Sequence, residues 1–170
     1  MCALARHSDT RLGYAVHHFE PPLQLEFSGT PEIDAGRDHV WNRLIDIEFV
    51  ASCVTDVDEV HAIDHTHFKI LTAVRFGIIR FPFRVNVELH HVVPYNTSMT
   101  ANATAPAARV IVNTSIRLEA IRETRTKLHW EAVTELQGAI AKIGARLLEK
   151  EGRETIDEFW REFADRTAAS

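Results

Sequence analysis

Ten histidines in 170 residues raise the question of a metal site, and four candidate ligands stand close together: His61, Asp64, His65 and His67. His65 and His67 are two apart and would share a face of a strand. Imidazole and carboxylate are both competent zinc ligands. Structural zinc wants four fixed ligands, however, and Asp64-His65-Thr66 reads as a turn. An exposed hairpin tip is the plainer reading, and no metal or other cofactor is expected. His90 and His91 are adjacent, so on a strand they point to opposite faces and do not chelate together; His91 falls on the apolar side. Cys53 lies on the apolar side of a short helical segment, where a thiol packs rather than reacts. The carboxylates Glu119 and Glu123, and Glu131 and Glu135, fall on wet faces or turns and read as solvated charge. No nucleophile-elbow pattern, dinucleotide fingerprint or P-loop occurs.

The elements that would position these residues follow from periodicity. Residues 1–22 are polar and mixed, end at Pro21-Pro22, and read as a flexible tail, of which residues 1 to about 18 are expected to be dispensable for folding. Leu23, Leu25, Phe27 and Ile33 alternate with polar residues, giving a half-buried strand. Asp34-Ala35-Gly36 supplies a turn and a helix cap. Two short helices follow, one over 36–46 carrying Val40, Trp41, Leu44 and Ile45, the other over 48–54 carrying Phe49, Val50 and Cys53. From Val57 to Leu136 only strands are read, weakly patterned over 57–63 and period two from Phe68 onward, broken by short polar turns, with Gly77 marking a bend. Strands joined by tight turns form an antiparallel sheet with one wet face. After Gly138, one long helix is expected from Ala139 to about Arg166, with Ile140, Ile143, Leu147, Leu148, Ile156, Phe159, Trp160 and Phe163 as its apolar stripe. Gly144 and Gly152 are small residues on or beside that stripe. Either can face something bulky, and Gly152 can also mark a kink.

Composition narrows the function classes. Apolar residues make up 45% and charged residues 25%, as in a globular domain. The net charge is −5, with 19 basic and 24 acidic residues and no basic run. That excludes broad nucleic-acid binding and limits membrane contact to the periphery. No apolar run approaches the roughly 20 residues of a membrane span. Cys2 and Cys53 form no framework, and the first residues lack the apolar core of a signal peptide. The expected location is the cytoplasm, with peripheral contact at the inner membrane face as the extent of any attachment.

The fold class that results is α+β: a curved seven-stranded antiparallel sheet wrapped around a long C-terminal helix, with two short helices after the first strand, as a single domain over 23–166. A sheet this wide must curl, and one helix does not fill the trough, so a ligand cavity is expected between them. Strand parity puts Phe76, Phe81, Phe83, His91, Met99, Thr114, Trp130 and Thr134 on its wall. Ile140, Ile143, Leu147 and Phe159 would roof it, and Gly144 would leave room beside them, so that Gly144→Leu would fill the space. A few hydroxyls among apolar walls can orient a carbonyl or phenol.

Two segments carry a family likeness. The stretch Val40-Trp41-Asn42-Arg43-Leu44-Ile45-Asp46-Ile47-Glu48-Phe49-Val50-Ala51-Ser52-Cys53-Val54 resembles a segment of the START and Bet v-like helix-grip (SRPBCC) superfamily that carries a Trp, then Asp-Pro-Glu, then Leu-Ala-x-Cys. The stretch Gly138-Ala139-Ile140-Ala141-Lys142-Ile143-Gly144-Ala145-Arg146-Leu147-Leu148 is similar to the start of the last helix in the carbon monoxide dehydrogenase G-subunit family. Ile47 replaces the family's usual Pro, and Val54-Thr55-Asp56 stands where Pro-Gly is usual. The resemblance, over roughly Leu23 to Phe163, implies a carrier of a greasy molecule, quinone- or lipid-like. It also implies a role in assembly, membrane attachment or electron transfer of a molybdenum-containing carbon monoxide dehydrogenase-like enzyme, with a molybdenum hydroxylase complex as partner. Two rival readings stand beside it. One is a polyketide cyclase- or dehydratase-like enzyme using the same cavity, for which His91 and Arg75 are the inward candidates, Arg75 on the wrong strand parity. The other is a protein adaptor without ligand.

Overall fold

The structure, a computed structural model, describes residues 21–54, 57–76 and 79–170. The expected tail, apart from Pro21 and Pro22, and the bend expected at Gly77 lie outside the described residues. The chain runs β1 (Leu23–Gly29), β2 (Glu32–Ile33), α1 (Arg37–Leu44), α2 (Ile47–Ser52), β3 (Val57–Ala62), β4 (His67–Phe76), β5 (Ile79–Val93), β6 (Asn96–Ala105), β7 (Ala108–Arg122) and β8 (Arg125–Gly138). A 3-10 turn over Ala139–Ile143 leads into α3 (Ala145–Ala168). The strands form one curved antiparallel sheet in the order β1-β8-β7-β6-β5-β4-β3, with β2 also paired to β8. This is the expected α+β architecture of sheet, two short helices and a long C-terminal helix.

Period two sets the concave face. Along β7, Thr114, Ile116 and Leu118 are buried while Asn113, Ser115 and Arg117 are exposed. Along β8, Thr126, Leu128, Trp130, Ala132 and Leu136 are buried in the same alternation. Antiparallel register then aligns inward residues into rows that cross the sheet. One row runs Val85, Ala103, Val110, Leu136. The next runs Val87, Ala101, Val112, Thr134, and the one after it Leu89, Met99, Thr114, Ala132.

Three local differences from the sequence expectation have clear causes. The first strand is split at Thr30-Pro31, since proline brings no N–H to the ladder; its carbonyl still accepts a hydrogen bond from Leu128 N at 2.9 Å. α1 starts from the expected Asp34-Ala35-Gly36 turn, with Gly36 as N-cap and no side-chain cap bond. Asp46 caps α2, its carboxylate accepting from Phe49 N at 3.1 Å. The last helix does not begin at Ala139: Gly144 interrupts it at φ +107°, ψ +135°, a backbone region essentially reserved for glycine. That break resets the helix phase, so Leu147 is 42% exposed rather than part of a roof. Gly152 marks no kink either, since α3 is continuous through it. A Cβ there would meet the Phe27 ring at 3.0 Å. Glycine at this point lets α3 approach β1 closely.

The core sits where α3 lies on the β1/β8 side of the trough. Phe163 is fully buried and meets Phe49, Phe159 and Trp160 in ring contacts with centroids 5.7, 6.2 and 5.8 Å away. Trp160 stacks near Trp130 at 5.9 Å. Arg153 donates to Ser28 O at 2.9 Å and lies over the Phe27 ring. The buried Thr126 hydroxyl donates to Ala35 O at 2.8 Å and ties β8 to the loop before α1. At the far end, the Tyr95 hydroxyl donates to Asp38, and the Arg37 guanidinium lies 3.8 Å from the Tyr95 ring centre. These contacts fix α1 to the β5–β6 turn.

Candidate functional site

α3 packs closely where Trp160 and Phe163 meet the sheet and α2, and the concave face under its first turns is left partly unfilled. A cavity of about 250 Å³ opens there, floored by Thr72, Phe83, Val85, Ala103, Val110, Thr134 and Leu136. Leu25 and Phe27 close one side, while Ile140, Leu148, Glu151, Gly152, Thr155 and Ile156 cover it from the helical side. The lining is mostly aliphatic and aromatic. Its polar groups are three threonines and Glu151, and the Thr155 hydroxyl is already bonded to Glu151 O at 2.9 Å within α3. Apolar walls with few hydroxyls suit a ligand held by shape and desolvation.

A second, smaller chamber of about 90 Å³ lies further along the same strands. Met99, Thr114, Ile116, Phe68, Leu89 and Thr97 form its sheet side; Leu44, Ile47 and Val50 of α1 and α2, with Phe159 and Trp160 of α3, complete it. The row Val87, Ala101, Val112 lies between the floors of the two spaces. Ile156 borders the larger space and Phe159 the smaller. Both also border a groove of about 230 Å³ that runs past Cys53, Val54 and Thr155.

The residues expected from sequence divide accordingly. Phe83, Thr134 and Ile140 line the larger cavity, and Met99, Thr114 and Phe159 the smaller. Trp130 lines neither: it packs against Trp160 in the core and borders a groove outside. Ile143 packs on the core, Gly144 is an exposed junction with no atom within 4 Å of a would-be Cβ, and Leu147 faces out. The side chains of Phe76, Phe81 and His91 lie outside the described residues. Sequence reasoning misses Leu25, Phe27, Val85, Ala103, Val110 and Thr97. All stand on inward parity, which is the signal that could have found them. It also misses Gly152, Thr155 and Ile156, whose place depends on where α3 lies across the sheet.

His67 and His90 stand on the outer face of the sheet, beside Glu88. Asp64 accepts from the backbone of Thr66 and His67, both at 2.8 Å, and faces His67 Nδ1 at 3.0 Å. These bonds hold the Asp64 carboxyl well below the usual carboxylate range, and the carboxylate in turn pushes His67 up. His67 Nε2 is 3.6 Å from Glu88, which also stands 3.5 Å from His90. Among the described residues no group of His, Cys, Asp and Glu is arranged to hold a metal ion. Burial pushes the Cys53 thiol up, away from the thiolate form that reacts. No described helix is long and apolar enough to cross a membrane.

Comparison with known proteins places this geometry. Residues 29–168 match the carbon monoxide dehydrogenase G-subunit (CoxG) family, and the chain belongs to that family. No curated protein matches the sequence. A conserved protein from Geobacillus kaustophilus superposes with a TM-score of 0.80 at 21% identity, covering 86% of this chain and 97% of its own. A START superfamily protein from Mycobacterium smegmatis gives 0.66 at 8% identity, covering 84% and 96%. The Zhui aromatase/cyclase from Streptomyces sp. R1128 gives 0.63 at 14% identity, covering 85% and 94%. These likenesses show a shared START-like helix-grip fold.

Proposed function

Starting from membership of the CoxG family, we propose that the chain binds a hydrophobic small molecule, quinone- or lipid-like, in the cavity between the β4–β8 floor and α3. Through that cargo it would serve the assembly, membrane attachment or electron transfer of a molybdenum-containing carbon monoxide dehydrogenase-like enzyme. The observation that carries the binding reading is the apolar cavity of about 250 Å³ on the side of the trough that α3 leaves open. A ligand that buries about 200 Å² of apolar surface there gains about 5 kcal/mol before ordering costs. No charged partner is needed for that gain. The family's name is what supports the enzyme partner.

Native mass spectrometry of the full chain purified from its own host tests the binding reading. A mass increment that organic solvent extracts is the expected result. A bare mass, together with no saturable binding of a soluble benzoquinone analogue, would count against it. Co-purification of a protein carrying molybdenum, checked by metal analysis, tests the partner.

A further inference from the structure

The smaller chamber holds a feature that packing alone does not call for. Thr97 is 6% exposed, and its hydroxyl oxygen is buried without a hydrogen-bond partner among the described residues. A buried hydroxyl left unpaired costs about 1–3 kcal/mol, and valine would fill the same volume at no such cost. The chamber it lines is otherwise bounded by apolar side chains of α1, α2, α3 and the strands, with Thr114 as a second buried hydroxyl and with Ser98, whose hydroxyl donates to His90 O. Thr97 stands opposite Ile116 and Thr114 opposite Met99 in the β6–β7 ladder, so both hydroxyls belong to neighbouring rows of one concave face. None of the described residues lining the chamber carries a charge. An ionised group placed there would lose its hydration without gaining a partner. A neutral group that accepts from or donates to a hydroxyl would be matched.

From this we infer that the smaller chamber is a head-group subsite: it takes the uncharged hydrogen-bonding end of the ligand, a ketone, phenol or alcohol, on Thr97. This rests on the binding reading above and adds a specificity to it. The larger cavity holds the apolar body; Ile156 borders it, Phe159 borders the smaller chamber, and both border the groove past Cys53. Neutral ligands with a terminal oxygen are selected, and fatty acids of similar size are rejected, because a carboxylate finds no cation in the chamber. Glu151 at the larger cavity works in the same direction.

The experiment is a calorimetric titration of the full chain with three bicyclic probes of one shape: naphthol, naphthalene and naphthoate. The wild type is expected to bind naphthol, to bind naphthalene more weakly and to bind naphthoate least. Thr97→Val should cut the naphthol-over-naphthalene preference about tenfold, the scale of one hydrogen bond to a buried group. Thr97→Ser should keep it. The melting temperature of Thr97→Val should equal or exceed that of the wild type, since an unpaired polar group is removed. An unchanged preference in Thr97→Val, or naphthoate binding as tight as naphthol, would overturn the subsite. Saturable naphthalene binding that Ala103→Leu abolishes while naphthol shows no preference would leave the cavity reading standing and remove this one. Failure of every probe to bind the wild type would remove both.

Discussion

The two sides of the trough are made from the same alternating strands and closed in different ways. On the side under the last turns of α3 the packing is close: Trp160 meets Trp130, and Phe163 is fully buried among three rings. On the side under its first turns, Phe83, Val85, Ala103, Val110, Thr134 and Leu136 lie under open space. One side spends its apolar surface on packing, which stabilises the fold. The other keeps apolar surface available, which a ligand can bury. The difference lies in what α3 carries onto the sheet along its length: Trp160 and Phe163 fill one side, and Gly152, beside Phe27, brings no side chain to the other.

Under this division, substitutions on the two sides have opposite profiles. Phe163→Ala should have the largest effect, a loss of about 3–5 kcal/mol as for other buried aromatics, read by urea denaturation. Gly144→Leu comes next. The position demands φ +107°, so a side chain should cost about 1–3 kcal/mol in backbone strain, while probe binding stays as in the wild type because no cavity lies beside it. Ala103→Leu should do the reverse. It fills the larger cavity, changes stability by no more than about 1 kcal/mol, and abolishes naphthalene binding in the same titration. A variant at position 103 that unfolds the protein while leaving the affinity of the folded fraction unchanged would break the comparison.

The smallest expected effect lies away from both sides, in the β3–β4 turn. Asp64 raises the His67 pKa, so the pair's contribution is present below the ordinary imidazole range and fades as pH rises through the elevated value. At the acid end it fades as pH falls through the depressed Asp64 value. Proton NMR titration should show His67 titrating above an ordinary histidine, and Asp64→Asn should return it to the ordinary range.

The sequence made the sheet readable and the site only partly so, for a physical reason. Alternation reports which face a residue takes, so the inward sets of β5 to β8 were legible, including Phe83, Thr114 and Thr134. Alternation carries no information about where along the sheet a helix will lie. Trp130 therefore read as cavity wall, whereas α3 covers it with Trp160. The start of the last helix was misplaced for a related reason. Ile140 and Ile143 are three apart, a spacing that suits a 3-10 turn as well as an α-helix, and only the backbone at Gly144 distinguishes the two. Leu147 moved outward with that break. Thr97 was legible as inward but not as unpaired, since pairing depends on the atoms across the chamber.

The central claim is that the open side, and not the packed side, receives the ligand. Methyl NMR of the full chain during titration with naphthalene addresses it most directly. The account predicts saturable shifts at Val85, Val110, Leu136, Ile140 and Ile156, with Leu128, Val40 and Ile33 unmoved. Saturable shifts confined to outward methyls such as Ile63 and Ile121, or an equal response from Leu128 and Val40, would contradict it.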